Sequence, residues 1–201
     1  MTDAQIAAWN EECRIRKVTS RLLGAGIPEM YRSADTATCC PQAADAAGAI
    51  AAGAVLNVVI AGAAGDGKTH TACAILSHVL QCRPMFSTFA VEPDVFREMR
   101  DSYGSKTRED DVLCRYAAPR LLVLDDLGRS KHTDRTLEML WSLVNRRYSA
   151  RRPTIFTTQY DRDGLAERFC DGGGDSETAQ AIVRRVLDDG RAMLFRAVRP
   201  R

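Results

Sequence analysis

One short loop carries the residues best suited to chemistry. Residues 62–70 read GAAGDGKTH and follow the apolar run VLNVVIA at residues 55–61. The spacing Gly-x4-Gly-Lys-Thr is typical of a loop that wraps phosphates, because glycines let successive backbone N–H groups point inward. Lys68 adds a positive charge for the outer phosphates, and Thr69 offers a hydroxyl ligand for Mg²⁺. We expect nine residues to bind a nucleoside triphosphate: Gly62, Ala63, Ala64, Gly65, Asp66, Gly67, Lys68, Thr69 and His70.

Two acids and an amide follow other apolar runs. RLLVLDD at residues 120–126 reads as a buried strand that ends in Asp125 and Asp126. PTIFTTQ at residues 153–159 reads as a strand that ends in Gln159. Ligands of open α/β sheets bind at the carboxyl ends of the strands, so these side chains are expected near the loop. There Asp125 would hold Mg²⁺, Asp126 would orient and deprotonate an attacking water, and Gln159 would approach the γ-phosphate.

The elements that would position these residues are strands and helices that alternate along the chain. Apolar runs predict five strands, at residues 55–61, 85–91, 120–126, 153–159 and 192–198. Helical spacing predicts one helix directly after the phosphate loop and others at residues 3–24, 42–52, 93–103, around 137–148 and at 176–189. Such alternation implies βαβ crossovers, and hence a three-layer α/β fold whose parallel sheet has helices on both faces.

Composition narrows the class of protein. The 201 residues are enough for one domain with a sizeable core, and a net charge of +2 does not by itself argue for nucleic acid. No run reaches the roughly 18 to 20 apolar residues of a membrane span, and the first residues lack a signal core. We therefore expect a cytoplasmic protein without a membrane partner. Seven cysteines without a CxxC pair indicate free thiols rather than a disulfide framework or a metal site.

Four motifs, in order, carry a family resemblance. They read GAAGDGKTHTACAI, RLLVLDDLG, LVNRRYSARRPTIFTTQYD and AIVRRVL. The chain resembles the DnaC/IstB branch of AAA+ ATPases, which comprises bacterial and phage helicase loaders and transposition helper ATPases. The likeness runs from about residue 24 to residue 198 and includes AGIPEMYRSADTATC before the nucleotide domain. It implies ATP and Mg²⁺ as cofactors, a P-loop NTPase (AAA+) core with a five-stranded parallel sheet of order 5-1-4-3-2, and assembly into a ring or spiral.

The resemblance also implies an arginine that enters the ATP site from a neighbouring subunit. The family motif falls on Arg185, and Arg184 is the alternative, because both lie about equally far from the apolar face of the predicted helix. The chain departs from the family in its sensor residue, which is Gln159 instead of Asn. Its second acid is Asp126, where many AAA+ proteins have Glu and IstB-like members often have Asp. Little sequence follows the last predicted strand, so we expect no helical lid and slow hydrolysis.

The resemblance favours a helicase loader, an ATPase that binds a hexameric replicative helicase and helps place it on single-stranded DNA. Residues 1–40 would form an N-terminal helical arm that docks on the helicase, and residues 41–201 the AAA+ ATPase domain. The alternative is an IstB-type helper ATPase that binds DNA and recruits a transposase. A third interpretation is a binding module that binds nucleotide without useful turnover.

Two basic stretches are candidates for DNA contact. By the resemblance, the segment 94–118 corresponds to the region after the second strand where initiators and loaders carry a helical insertion that faces single-stranded DNA. It carries Arg97, Arg100, Lys106 and Arg108, diluted by nearby acids. Such basic residues could follow a phosphate backbone, or they could be an ordinary solvated helix face. The arginines of residues 146–152 and 184–201 offer a second basic surface.

Overall fold

A computed structural model describes residues 2–102, 108–187 and 190–198. Its five strands are β1 Asn57–Ala61, β2 Ser87–Val91, β3 Leu121–Leu127, β4 Thr154–Thr158 and β5 Ala192–Arg196. Its α-helices are α1 Asp3–Gly24, α2 Pro41–Ala52, α3 Lys68–Cys82, α4 Glu92–Asp101, α5 Glu109–Ala117, α6 Asp134–Ser149, α7 Arg162–Cys170 and α8 Ser176–Leu187. Two short 3₁₀ turns, Glu29–Tyr31 and Thr36–Thr38, lie between α1 and α2.

All strand pairs are parallel, and the strands lie in the order β2-β3-β4-β1-β5. Read from the other edge, this is the expected order 5-1-4-3-2, which is therefore confirmed. β4 lies between β1 and β3, so the strand ends that carry the predicted site residues are neighbours. The β3–β4 register shifts between Leu124 and Leu127, which marks an irregularity where the two acids lie.

Helices cover both faces of the sheet, which confirms the three-layer fold. Alternate residues of each strand point to opposite faces. Val58 and Ile60 pack with α1, α2 and α3, whereas Val59 packs with α4 to α8. In β3, Leu121 and Val123 face the first layer, and the alternating Leu122 and Leu124 face the second. The core is thus two apolar layers separated by a sheet whose central strands β1, β3 and β4 are buried.

The first half of α1 is exposed to solvent, and its second half packs on the core. Thr2 and Gln5 form the predicted capping box of α1. From residue 5 to residue 17 the helix is exposed, except for half-buried Cys13, whereas Val18 and Leu22 are buried in the core. After the helix, the chain covers the sheet edge, where the Phe89 N–H donates to the Ala25 carbonyl at 2.7 Å. The domain boundary at residue 40 stays a prediction.

Two helices differ from the sequence-based expectation. α5 and α7 were not predicted as separate elements, because each has only nine residues and a short apolar stripe. In the described residues, which end at 198, no helix follows β5. Across the same residues, none of the helices has the length and apolar character that crossing a bilayer requires. All seven cysteines lie in the described part and are free thiols.

Candidate active site at the carboxyl edge of the sheet

The phosphate loop connects β1 to α3 through a tightly folded backbone. Gly67 caps α3 with a φ of 83°, a left-handed conformation that glycine adopts without a steric penalty. Gly62 has a φ of 155°, which other residues rarely adopt, and a Cβ at this position would lie 2.9 Å from Asp66 Oδ2. Asp66 Oδ2 accepts a hydrogen bond from the Ala63 N–H at 2.7 Å. The Asp66 carboxylate thus holds the loop in a curled conformation at the N-terminus of α3. A helix N-terminus favours the binding of anions such as phosphate.

Lys68 lies inside this loop. Its side chain is buried, and its Nζ donates to the Ala63 carbonyl at 2.8 Å. Burying an ammonium group is costly unless it is well paired, and a phosphate would pair with it more strongly than a neutral carbonyl does. His70, also predicted to belong to the phosphate loop, faces elsewhere. Its Nδ1 lies 3.6 Å from Cys39 Sγ in the segment before α2.

Hydroxyl groups surround the first acid of β3. Thr69 Oγ1 donates to both Asp125 carboxylate oxygens at 3.0 Å. Thr157 Oγ1, from the neighbouring β4, donates to Asp125 Oδ1 at 2.6 Å. Burial raises the pKa of the Asp125 carboxyl, and the hydrogen bonds from Thr157 and Thr69 oppose that rise only in part. The Thr69 hydroxyl and the Asp125 carboxylate are hard oxygen donors of the kind that Mg²⁺ prefers.

The second acid leaves the sheet. Asp126 has a φ of 59°, which is uncommon for a non-glycine residue, and it lies at the register shift of β3. Its N–H donates to Thr157 Oγ1 at 2.9 Å, and its side chain is half-buried. Asp126 and Gln159 line one cavity of about 230 Å³. Gln159 also lines a cavity of about 500 Å³ beside Gly62 and Ala63. The structure therefore brings Gln159 between the phosphate loop and Asp126.

Sequence reasoning missed Thr157. The residue is fully buried in β4, donates to Asp125 and accepts from the Asp126 backbone, so it links both acids. Its only sign in the sequence is that the predicted strand ends in two threonines before Gln159. Buried threonines are common in strands, and register alone decides which one faces the acids.

The two candidate arginines of α8 have different surroundings. The Arg185 guanidinium carbon lies 3.9 Å from the ring centroid of Trp141 and 5.4 Å from that of Tyr148. Stacking of this kind favours Arg185 in its present position. Arg184 is exposed and lines, with Arg162, a cavity of about 240 Å³ between α7 and α8.

The predicted basic surfaces carry less free charge than the sequence indicates. In the first segment, Arg97 pairs with Asp94 at 2.7 Å, Arg100 is exposed, and Lys106 lies outside the described residues. Arg108 directly precedes three acids at the start of α5. In the second stretch, Arg146 pairs with Asp110 at 2.6 Å.

Arg147, in the same second stretch, is 2% exposed and donates to buried carbonyls of three residues, Tyr116, Ala117 and Pro119. Burial lowers its pKa to about 9. This arginine joins α6 to the end of α5 and to the segment before β3, so it has a structural role and cannot reach a phosphate backbone.

We expect Asp125→Asn to stabilise the nucleotide-free protein at neutral pH, by about 1 kcal/mol, because functional groups are often held at the expense of stability. The folded-state pKa of Asp125 is raised, so the ionised carboxylate is unfavourable above that pKa and the penalty disappears as the pH falls toward the unfolded-state value. The stabilisation should therefore be largest at pH 7 and should fade in acid. Urea unfolding at several pH values measures it, and a lower stability of the variant at pH 7 would contradict the account.

Comparison with known proteins agrees with this geometry. A family model described as IstB-like ATP binding protein matches residues 45–195. The replicative helicase loader DnaC of Escherichia coli K12 is 27% identical over 116 residues, which cover 57% of this chain and 47% of the relative. An insertion sequence IS232 putative ATP-binding protein from Bacillus thuringiensis subsp. berliner is 28% identical, over 65% of this chain and 50% of the relative. This chain thus spans about half the length of the curated relatives that it matches.

Solved structures share the fold. A DnaC helicase loader superposes with a TM-score of 0.69 at 20% identity, covering 84% of this chain and 99% of that chain. DnaI superposes with a TM-score of 0.67 at 23% identity, covering 78% of this chain and 84% of that chain. The replication initiator DnaA, bound to AMPPCP and single-stranded DNA, superposes with a TM-score of 0.64 at 17% identity, covering 85% of this chain and 50% of that chain.

Proposed function

Because the chain belongs to the family of IstB-like ATP binding proteins, we propose that it is an ATP-dependent helicase loader. In this proposal it binds a hexameric replicative helicase and helps place it on single-stranded DNA, with ATP hydrolysed at the carboxyl edge of the sheet. The observation that carries the ATPase part is the 3.0 Å contact between Thr69 and Asp125, which joins the phosphate loop to the acids of β3. The proposal of a loader draws on the relatives DnaC and DnaI, both named as replicative helicase loaders.

Each residue of the rim has a proposed task in hydrolysis. Lys68 would leave the Ala63 carbonyl and pair with the outer phosphates. Thr69 and Asp125 would hold Mg²⁺, which when bound neutralises charge on the transferred phosphoryl group. Asp126 would accept the proton that the attacking water loses, and the Gln159 amide would orient that water. The oxygen donors of Thr69 and Asp125 fit Mg²⁺, and a cation would offset the cost of burying the carboxylate.

Self-association would complete the site with an arginine from a neighbouring subunit. Such an arginine, placed at the charge that develops in the transition state, is worth roughly 10³ to 10⁵ in rate. We favour Arg184 for this role, because it is exposed while Arg185 stacks on Trp141. The comparison of Arg184→Ala with Arg185→Ala decides between them: the variant that lowers turnover without loss of folding marks the trans arginine.

The free half of α1 is the proposed docking surface for the helicase. Ile6, Trp9 and Ile15 are each more than 40% exposed there, which is unusual for large apolar side chains on one helix. Buried aromatic anchors dominate the energetics of protein interfaces, so Trp9 is the strongest candidate for such an anchor. The proposal thus assigns the arm to the partner and the sheet rim to ATP.

We expect Trp9→Ala to weaken binding of the replicative helicase at least about tenfold, because truncation of a hot-spot residue typically costs about 2 kcal/mol or more. Analytical size exclusion and titration with the helicase of the same organism measure the effect. Phe86→Ala is the matched control, since Phe86 is also an exposed aromatic residue but lies beside β2. The docking assignment is wrong if both variants bind the helicase as well as the wild-type protein does.

An IstB-type transposition helper is the second candidate function. It is favoured by the family model and by the likeness to an insertion-sequence ATP-binding protein. The same titration separates the two candidates when duplex DNA and a cognate transposase are added as alternative partners. Helicase binding supports the loader, whereas transposase recruitment on duplex DNA without helicase binding supports the helper.

A further inference from the structure

A buried carboxylate binds the turn of residues 126–129 and the residues directly after it. Glu92, the first residue of α4, is fully buried. Its Oε2 accepts from the Ser130 N–H at 2.9 Å, and its Oε1 accepts from the Gly128 N–H at 2.9 Å. The same Oε1 lies 3.0 Å from His132 Nε2. One side chain therefore binds two backbone amides and an imidazole of residues 128–132.

A guanidinium group binds the same turn from the other side. Arg168 of α7 donates from Nε to the Gly128 carbonyl at 2.9 Å and from Nη2 to the Arg129 carbonyl at 3.1 Å. Its side chain is 18% exposed and also pairs with Asp171 at 3.0 Å. The N–H groups of the turn thus point to an acid on α4, and its carbonyls point to a base on α7.

Asp126 forms the first corner of this turn. The Arg129 N–H donates to the Asp126 carbonyl at 2.9 Å, which closes the turn directly behind the acid. Asp126 itself has a φ of 59°, a conformation that a non-glycine residue keeps only when its surroundings hold it there. The contacts of Glu92 and Arg168 are surroundings of this kind, because they bind the backbone immediately after the acid.

Aromatic rings enclose the histidine that contacts Glu92. The His132 ring meets Phe96 and Phe169 edge-on, with centroid distances of 5.2 and 5.0 Å. Within the described residues, His132 Nδ1 has no hydrogen-bond partner. An unpartnered buried nitrogen of this sort costs free energy. The histidine therefore contributes to the network through its contact with Glu92 and through its ring packing.

We propose that Glu92 and Arg168 are positioning residues for ATP hydrolysis. They bind the turn of residues 126–129 from two sides, keep Asp126 in its left-handed conformation, and so aim its carboxylate at the position of the attacking water. The hydrogen bonds of both side chains go to the segment 128–132 and to Asp171, and Arg168 also lines the cavity that Asp126 and Gln159 share. We therefore expect their main effect on the rate of hydrolysis and a small effect on ATP affinity. This inference rests on the proposed function, since it assumes that the chain hydrolyses ATP with Asp126 as the base.

Steady-state ATPase kinetics and nucleotide titration test the proposal. Glu92→Gln keeps the size of the side chain but replaces one acceptor oxygen by a donor, so one contact to the turn is lost. We expect kcat to fall about tenfold to a hundredfold, as small misplacements of a reacting group do, while KM and the affinity for ATP stay within about twofold. Glu98→Gln is the matched control, because Glu98 lies on the same helix but pairs with Arg115 at the surface.

Substitution of Arg168 provides a second test. Its side chain is partly exposed, so a change there is less damaging to folding than a change at the fully buried Glu92. Arg168→Met should lower kcat in the same way, and Arg168→Lys, which retains one donor, should restore part of it. If Glu92→Gln fails to fold, the Arg168 pair decides the outcome. Unchanged kcat in both Glu92→Gln and Arg168→Met overturns the inference and leaves the proposed function standing, as does an equal loss of kcat and ATP affinity. A wild-type protein without ATP turnover overturns both.

Discussion

Replacement of Asp126 by Asn is expected to abolish ATP turnover and to leave ATP binding intact. The amide cannot accept the proton that the attacking water loses, and loss of a general base typically lowers the rate by 10² to 10⁴. Folding should be preserved, because Asn tolerates the left-handed conformation that Asp126 adopts with a φ of 59°. Phosphate release with and without single-stranded DNA, beside a nucleotide titration, measures both quantities.

Asp45→Asn serves as the control for this variant. Asp45 is an exposed acid on α2, and its replacement removes the same charge from the protein. Turnover that survives in Asp126→Asn would show that another group activates the water. Absence of turnover already in the wild-type protein, together with normal ATP binding, would instead support a module that binds nucleotide without hydrolysing it.

Replacement of Lys68 by Ala is expected to weaken ATP binding at least about a hundredfold. The residue supplies a full charge inside the phosphate loop, where charge-assisted hydrogen bonds are stronger than in water. It is buried and bonds in the free protein to the Ala63 carbonyl at 2.8 Å, so it already points into the loop. A titration with a fluorescent ATP analogue measures the loss.

Lys131→Ala is the control for this variant, because Lys131 is an exposed lysine in the turn after β3. A thermal melt of both variants shows whether loss of the bond to Ala63 unfolds the loop. Equal ATP affinity of Lys68→Ala and the wild-type protein would remove the basis for the phosphate site, and with it every role assigned to the acids.

The elements and the residue types at the site followed from the sequence, because each has a local signal. Apolar runs of seven residues each predicted all five strands, with ends that differ from the observed ones by up to two residues. The ends differ because hydrogen-bond partners define a strand, and apolar character does not. The spacing Gly-x4-Gly-Lys-Thr placed the loop directly before α3, and the two acids fell at the end of β3.

Contacts between distant segments could not be predicted in the same way. Thr157 and Asp125 are 32 residues apart, and Glu92 and Gly128 are 36 residues apart. These contacts depend on the register of the sheet and on the residue at which α4 begins. Neither can be predicted from a single sequence. The left-handed Asp126 was equally hidden, since Asp in such a turn looks like any solvated acid.

The arginines of α8 illustrate a third limit. Helical periodicity gave Arg184 and Arg185 nearly the same distance from the apolar face. In the structure they differ, because the Arg185 guanidinium lies over the rings of Trp141 and Tyr148, which are seven residues apart on α6. A stacking partner on another helix is a tertiary feature, so this difference between the two arginines could not be predicted from the sequence, and which of them acts in trans stays a prediction.

A crystal structure of the protein with Mg²⁺ and a non-hydrolysable ATP analogue tests the central claim most directly. We expect the triphosphate within the loop of residues 62–69, with Lys68 Nζ moved from the Ala63 carbonyl to an outer phosphate and a metal ion beside Thr69 and Asp125. The carboxylate of Asp126 should face the terminal phosphate. Nucleotide bound elsewhere on the molecule, or a loop that stays empty at saturating nucleotide with Lys68 still on Ala63, would contradict the account.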